Sequence, residues 1–247
     1  MKKKWPDFLW HEHDPVSISR RLSRKNHSSL VRDLIYGAID GTVTTFSIVA
    51  GVSGADLPVG VILVLGISNV ISDGFSMAAG NYLATKSELD ERSLVKEYET
   101  EQISINPKGE TEEIRQIFKA KGFEGELLEN VVAKITRNKE EWLGFMLAEE
   151  YGLGSIGKSP LKAAGMTFLA FLAFGMIPML PYVFGLGNTF TIATYLTGGS
   201  FFLLGALKSI WAMESAIVSG LKTLVLGSVA ASLAYIVGVV LKDFVNF

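Results

Sequence analysis

No cysteine occurs among the 247 residues. Disulfides, thiolate metal ligands and cysteine nucleophiles are therefore excluded, and a bound metal must be held by oxygen, imidazole or thioether. Histidine is scarce, with three residues. Neither an HExxH motif nor a Glu-x-x-His pair is present, which removes two common arrangements for zinc hydrolysis and di-iron chemistry. No Ser/His/Asp set and no phosphate-cradling glycine loop is read in the chain, so an enzyme is the least favoured class. An apolar core is missing after the first lysines, and no signal peptide is expected. No nucleic-acid partner and no permanent cofactor is expected either.

What the chain has is apolar length. Hydrophobic residues make up 49% of it, the mean hydropathy is +0.33 and there are 25 glycines. Five apolar runs of membrane-crossing length point to an all-α polytopic membrane protein with five transmembrane helices and a helical cytoplasmic insert. The expected divisions are a cytoplasmic tail (1–30), transmembrane helices 1 and 2 (31–85), the insert (86–162) and transmembrane helices 3 to 5 (163–247). The last three spans are expected near Ala163 to Phe184, Phe190 to Leu207 and Gly220 to Leu241. Pro178 and Pro181 should kink or shape the third, and Tyr182 and Trp211 fall near expected interfaces.

Charge sets the orientation. The tail carries Lys2, Lys3, Lys4, Arg20, Arg21, Arg24 and Lys25, and the insert is also rich in Lys and Arg. The link around Asp56 has no basic residue, which places tail and insert on the cytoplasmic side of a lipid bilayer. Lys242, close to an end expected outside, is the one discordant charge. His11-Glu12-His13-Asp14 could bind a metal, but a short His tract is nonspecific.

The stretch from Asp33 to Thr85 is unusual for lipid-facing helices. The first run holds Asp40, Thr44, Thr45 and Ser47, and the second Asn69, Ser72, Asp73, Ser76, Met77 and Asn81. A carboxylate at that depth costs a few kcal/mol, so it normally faces a partner, a cavity or a transported ion. Counted inward from Arg32 and Lys86, Asp40 and Met77 lie roughly 12 and 14 Å deep at helical rise. Asp73 shares Met77's face at i, i+4. A hard carboxylate beside a soft thioether suits a transition metal such as Fe(II) better than Mg²⁺ or Ca²⁺; for Met77 alone, filling a packing gap is the competing reading. Gly37/Gly41 and Gly74/Ala78 have the small-xxx-small spacing that allows close backbone approach. Asp40, Thr44, Asn69, Asp73 and Met77 are the candidate pathway residues.

Between Lys86 and Lys162 sixteen acidic residues face twelve basic ones. Asn106-Pro107-Lys108-Gly109 should divide an extension of the second helix from shorter helices near 110–121, 124–137 and 139–151. Ile114, Ile117 and Phe118, then Leu127, Leu128, Val131, Val132 and Ile135, give two of them apolar stripes. Glu97/Glu101, Glu110/Glu113 and Met146/Glu150 recur at helix-face spacing. On spacing alone a solvated surface is favoured over a carboxylate metal site.

The strings Asp40-Gly41-Thr42-Val43-Thr44-Thr45-Phe46, Ser72-Asp73-Gly74-Phe75-Ser76-Met77-Ala78-Ala79-Gly80-Asn81-Tyr82-Leu83 and Lys86-Ser87-Glu88 resemble the signature of the vacuolar iron transporter family, which includes the yeast calcium-cross-complementer type. The resemblance runs from about Val31 to the C-terminus. It implies a homodimer of five-helix protomers that carries Fe(II), and often Mn(II), out of the cytosol in exchange for protons, with Asp40 and Met77 lining the ion path. The string Trp142-Leu143-Gly144-Phe145-Met146 with the following Glu149-Glu150 is similar to the end of that family's metal-binding domain. By position Glu99, Glu110, Glu113, Met146 and Glu150 match its ligands, with Glu149 counted beside Glu150. Gln102 stands where the family commonly has a glutamate; either Glu101 substitutes or the site holds fewer ions.

The function so implied is export of Fe(II), or Mn(II), against protons. A Mn(II)-selective exporter and a membrane-anchored metal sensor or buffer are the alternatives. The expected location is a prokaryotic inner (plasma) membrane, or a vacuolar-type membrane in a eukaryote.

Overall fold

Asn106 shows how locally the chain decides its elements. Its side-chain oxygen accepts from the Gly109 amide at 3.2 Å and Pro107 takes the first helical position, a site where proline's missing N–H is harmless. One long helix therefore stops and the next starts across a single residue.

The computed structural model describes residues 14–23, 30–154, 157–211 and 214–245, and regular structure among them is entirely helical. In order these are α1 (Pro15–Ser23), α2 (Val31–Gly54), α3 (Val59–Ile105), α4 (Pro107–Ala120), α5 (Gly125–Thr136), α6 (Lys139–Glu149), α7 (Pro160–Gly175), α8 (Leu180–Val183), α9 (Thr189–Lys208) and α10 (Ala216–Val245). Five helical segments are long and apolar enough to cross a membrane: α2, α3, Pro160–Val183, α9 and α10. The protein is thus an all-α polytopic membrane protein. His11 and His13 lie outside the described residues, as does the side chain of Trp211.

The third span starts three residues before its expected position because Pro160 opens it at a first-turn position. The expected kink is a break: α7 ends at Gly175, a 3₁₀ turn covers Ile177–Met179 and α8 resumes. Pro178 and Pro181 cannot donate the amide bonds that would carry an α-helix through. The fifth span begins at Ala216, four residues early. Tyr182, one residue from the end of its span, is buried at 5% exposure, with its hydroxyl 3.5 Å from Ser53 Oγ. An apolar ring with one polar tip is satisfied inside once that tip finds a partner.

Two compact units divide the chain. Of the described residues, one takes those up to Leu83 and those from Lys158 onward, and the other those within Ala84–Gly157.

In the first unit α2 packs on α7, α9 and α10, and α9 packs on α10. Glycines permit the close approach. A Cβ placed on Gly37 would lie 2.4 Å from the Thr167 carbonyl oxygen, and one on Gly41 2.5 Å from that of Phe171. The α2 GxxxG face is therefore seated on the α7 backbone. Gly37→Ala is expected to lower stability by about 1–3 kcal/mol, since a backbone cannot yield as a side chain does; thermal unfolding of the solubilised protein measures it. Phe46, Val49, Val52, Ile62, Tyr182 and Ala193 form the main core. Outside it, Tyr195, Leu203, Leu226 and Leu233 are exposed, as on helices whose solvent is lipid. The discordant Lys242 pairs with Asp56 at 3.1 Å, so an acid in the α2–α3 link answers its charge.

In the second unit α4 packs on α5 and α5 on α6. Asn138 caps α6 by accepting from the amides of Glu140 and Glu141, whose carboxylates suit the positive helix end. Ile103, Ile114, Leu128, Val132, Trp142, Leu143 and Met146 form the core. Phe118 stacks on Phe145 with centroids 5.1 Å apart and meets Phe123 edge-on at 5.3 Å. Leu127, on the expected stripe, is 61% exposed.

Candidate metal-handling sites

In the membrane unit the two sequence-selected acids are electrostatic neighbours. Asp73 of α3 is the charged neighbour of Asp40 on α2, and both are partly buried. Asp40 opens on a cavity of about 380 Å³ lined also by Arg32, Ile35, Tyr36, Ile39 and Lys208. Among the described residues no cation is ion-paired with it. Neighbouring carboxylates repel unless a proton or cation sits with them, so the pair is a natural place for a passing positive charge. Thr44 turns its hydroxyl back on its own helix, donating to the Asp40 carbonyl at 2.9 Å. Its lone pairs stay available. Asn69 has a buried Nδ2 without a hydrogen-bond partner, an unmet donor of the kind that marks a site rather than a core. Met77 is partly buried.

Sequence reasoning missed Asp33. It is 6% exposed, and its Oδ1 accepts from Asn81 Nδ2 at 2.9 Å and from Lys158 Nζ at 2.6 Å. Asn81 Nδ2 also donates to Thr167 Oγ1 at 2.8 Å. The available signal was spacing: seven residues before Asp40 is two helical turns, on the same face. Its cationic partner lies 125 residues away in sequence, where no periodicity could find it.

In the second unit four of the chosen glutamates act on one another. Glu99 of α3 is 1% exposed and Glu110 of α4 6%; each has a buried Oε2 without a hydrogen-bond partner. Burial, then the charges of Glu113 and Glu99, pushes Glu110 up to about 7. Glu113 is raised by burial and then by Glu99. Glu150 is raised by burial, then by Glu113 and Glu99. Tyr151 donates to Glu99 Oε1 at 2.8 Å, and burial followed by that bond raises the phenol. Desolvation and like-charge repulsion, the two effects at work, are both relieved by a bound cation. Among the described residues no three His, Asp or Glu side chains are gathered closely enough to hold an ion as they stand; the glutamates form an electrostatic cluster, not a closed cage.

Three other chosen residues sit differently. Met146, fully buried, belongs to the apolar core. Glu101 is two residues from Glu99, about 200° round the helix, and lines an open groove with Ser93, Lys96, Glu97, Thr100 and Ser104. Glu149 pairs with Lys121 at 2.5 Å. The structure therefore sets Glu101 and Glu149 apart from the glutamate cluster.

A phosphate-cradling glycine pattern, expected to be absent, does occur in the chain. Gly152, Gly157, Lys158 and Ser159 fit the GxxxxGK[ST] spacing. The context is wrong for it: no strand occurs among the described residues, proline opens the helix that follows, and the Lys158 ammonium is on Asp33. A phosphate loop needs a strand before it and a free lysine.

Comparison with known proteins gives the same direction throughout. The model of the VIT family matches residues 31–239. Vacuolar iron transporter 1 of Oryza sativa subsp. japonica is 32% identical over 209 residues, covering 83% of this chain and 83% of the relative. Vacuolar iron transporter 1 of Arabidopsis thaliana is 31% identical, covering 83% and 84%. The vacuolar iron transporter of Plasmodium falciparum (isolate 3D7) is 29% identical over 258 residues, covering 100% and 93%. With a family match over most of its length and relatives above 30% identity, this chain belongs to the VIT family, the vacuolar iron transporters.

Proposed function

We propose that the protein carries Fe(II) across its membrane, out of the cytosol and in exchange for protons, with Mn(II) as the second candidate substrate. The observation that carries this reading is the Asp40–Asp73 pair: two acids on membrane-spanning helices, in mutual repulsion, with no ion-paired cation among the described residues and with one opening on a cavity. An anchor has no use for such a pair, which disfavours a membrane-bound sensor or buffer. The glutamates of the insert take the ion first, because a cation relieves their repulsion and releases the proton on Glu110. Asp40 and Met77, with Thr44, Asn69 and Asp73 along the way, then pass it on. Carboxylate ligands exchange protons for metal at each step, which couples the two flows. Two protomers contribute, as a homodimer, and tail and insert face the cytosol of an inner or plasma membrane, or a vacuolar-type membrane in a eukaryote.

Reconstituted vesicles holding a metal-sensitive and a pH-sensitive dye test this. Fe(II), kept reduced, should cross, protons should move the opposite way, and an opposing proton gradient should drive uptake. Metal flux with no proton movement would reject the exchange, and absence of flux would reject transport. Competition by Mn(II) at equal concentration ranks the two metals, which carboxylate and thioether ligands separate weakly.

A further inference from the structure

We infer that Lys158 is a tethered counter-ion that occupies Asp33 until a mobile cation displaces it, and so sets the apparent affinity of the transporter for its substrate. The inference rests on the transport reading above.

Asp33 sits in the first turn of α2 and is 6% exposed. A carboxylate so enclosed needs donors or a cation around both oxygens. Only Oδ1 is provided for, by Asn81 Nδ2 at 2.9 Å and Lys158 Nζ at 2.6 Å. Oδ2 is buried and accepts nothing. A pair serving structure alone would be expected to close both oxygens. The half-closed shell, with Thr167 Oγ1 tied to Asn81 at 2.8 Å, is an all-oxygen and amide pocket whose positive charge is supplied by a side chain.

That side chain is not built in rigidly. Lys158 belongs to the non-helical segment before Pro160 and keeps 23% of its side chain exposed. Its ammonium is a compact charge on a four-carbon stem, able to leave without moving a helix. Asp33 lies two turns from Asp40 on the same face of α2, about 10 Å along the axis. Asn81 lies one turn from Met77 on α3. The cluster therefore continues the line of polar residues that holds the candidate path. A divalent ion, with twice the charge of an ammonium, competes for Asp33 where a monovalent ion does not, and at low metal the tether holds the position.

Apparent affinity falls by the fraction of the site left free, so a tether in place nine-tenths of the time weakens it about tenfold. Flux into vesicles is measured as a function of Mn(II) for the parent, Lys158→Met, Lys158→Gln, Lys158→Arg, Asp33→Asn and the double variant Asp33→Asn/Lys158→Met. The methionine and glutamine variants should have a KM about tenfold lower, Lys158→Arg should restore the parental value, and the double variant should match Asp33→Asn alone. Glutamine keeps a donor for Asp33, so it reports if the methionine variant does not fold. An active parent with unchanged KM in both neutral variants, or a loss confined to Vmax that arginine does not rescue, overturns the inference. If the parent moves no metal, transport is rejected and the tether is judged by binding. The Mn(II) concentration giving half the rise in melting temperature should be lower in Lys158→Gln than in the parent, and an equal value overturns it.

Discussion

Asp40→Asn should reduce metal flux in reconstituted vesicles to that of protein-free liposomes while leaving the melting temperature of the solubilised protein close to the parent's. The substitution keeps shape and hydrogen-bonding capacity and removes one thing, the charge. Asp40 is not ion-paired among the described residues, so no buried partner is orphaned and no large stability loss follows. Removing one of two mutually repelling carboxylates relieves strain instead. Function loses more. A divalent ion at this depth must exchange water for ligands, and a neutral amide is a poor replacement for a carboxylate among hard donors. Asp73→Asn, acting on the same pair, should fall in the same direction. Flux that survives Asp40→Asn at the parental rate would remove this residue from the path.

The second large effect is the pH dependence of metal capture by the insert. Glu110, held up at about 7, is largely protonated at pH 6 and largely charged at pH 8. Metal must therefore expel a proton at the lower pH. Apparent Mn(II) affinity should fall as pH drops from 8 to 6, and each bound ion should release close to one proton near pH 6, with further contributions from Glu113 and Glu150, both also raised. The sign for the metal-free fold is the opposite. A folded pKa above the unfolded value means that the native state binds more protons than the unfolded chain between about 4.5 and 7, so stability falls as pH rises through that window. Bound metal should cancel this loss above pH 7. Glu110→Gln should flatten the stability profile of the metal-free protein in that window and weaken Mn(II) binding by at least about tenfold. Isothermal titration on the full chain in two buffers of different ionisation enthalpy counts the protons, and a pH-independent affinity would reject the cluster as the capture site.

Some of this was legible from local pattern. Apolar runs of sufficient length are membrane helices wherever they pack, because lipid leaves the backbone no other partner. The break at Asn106 was legible because an Asn cap and a first-turn proline act within four residues. The polar stretch from Asp40 to Met77 stood out because intramembrane carboxylates are expensive wherever they occur. Pattern was less useful for Glu97, Glu101 and Glu149, where every acid on a helix has a neighbour three or four residues on. Only the partners separate them: Lys121 neutralises Glu149, and Glu101 faces an open groove. Pattern could not show which way Tyr182 turns for a related reason, since a ring near a span end can turn inward when a hydroxyl such as that of Ser53 waits there.

From sequence alone came the helical class, the five spans, the family strings and the short list of acids, all properties written in neighbours within a few turns. Tertiary structure decided which charges are answered and which are not: Lys242 by Asp56, Asp33 by Lys158, Glu149 by Lys121, while Asp40 has Asp73 as its charged neighbour and Glu99 stays among other glutamates. The reason is range. A helix is chosen by interactions between residues three or four apart, whereas the fate of a buried charge depends on a partner that the fold brings from anywhere in the chain.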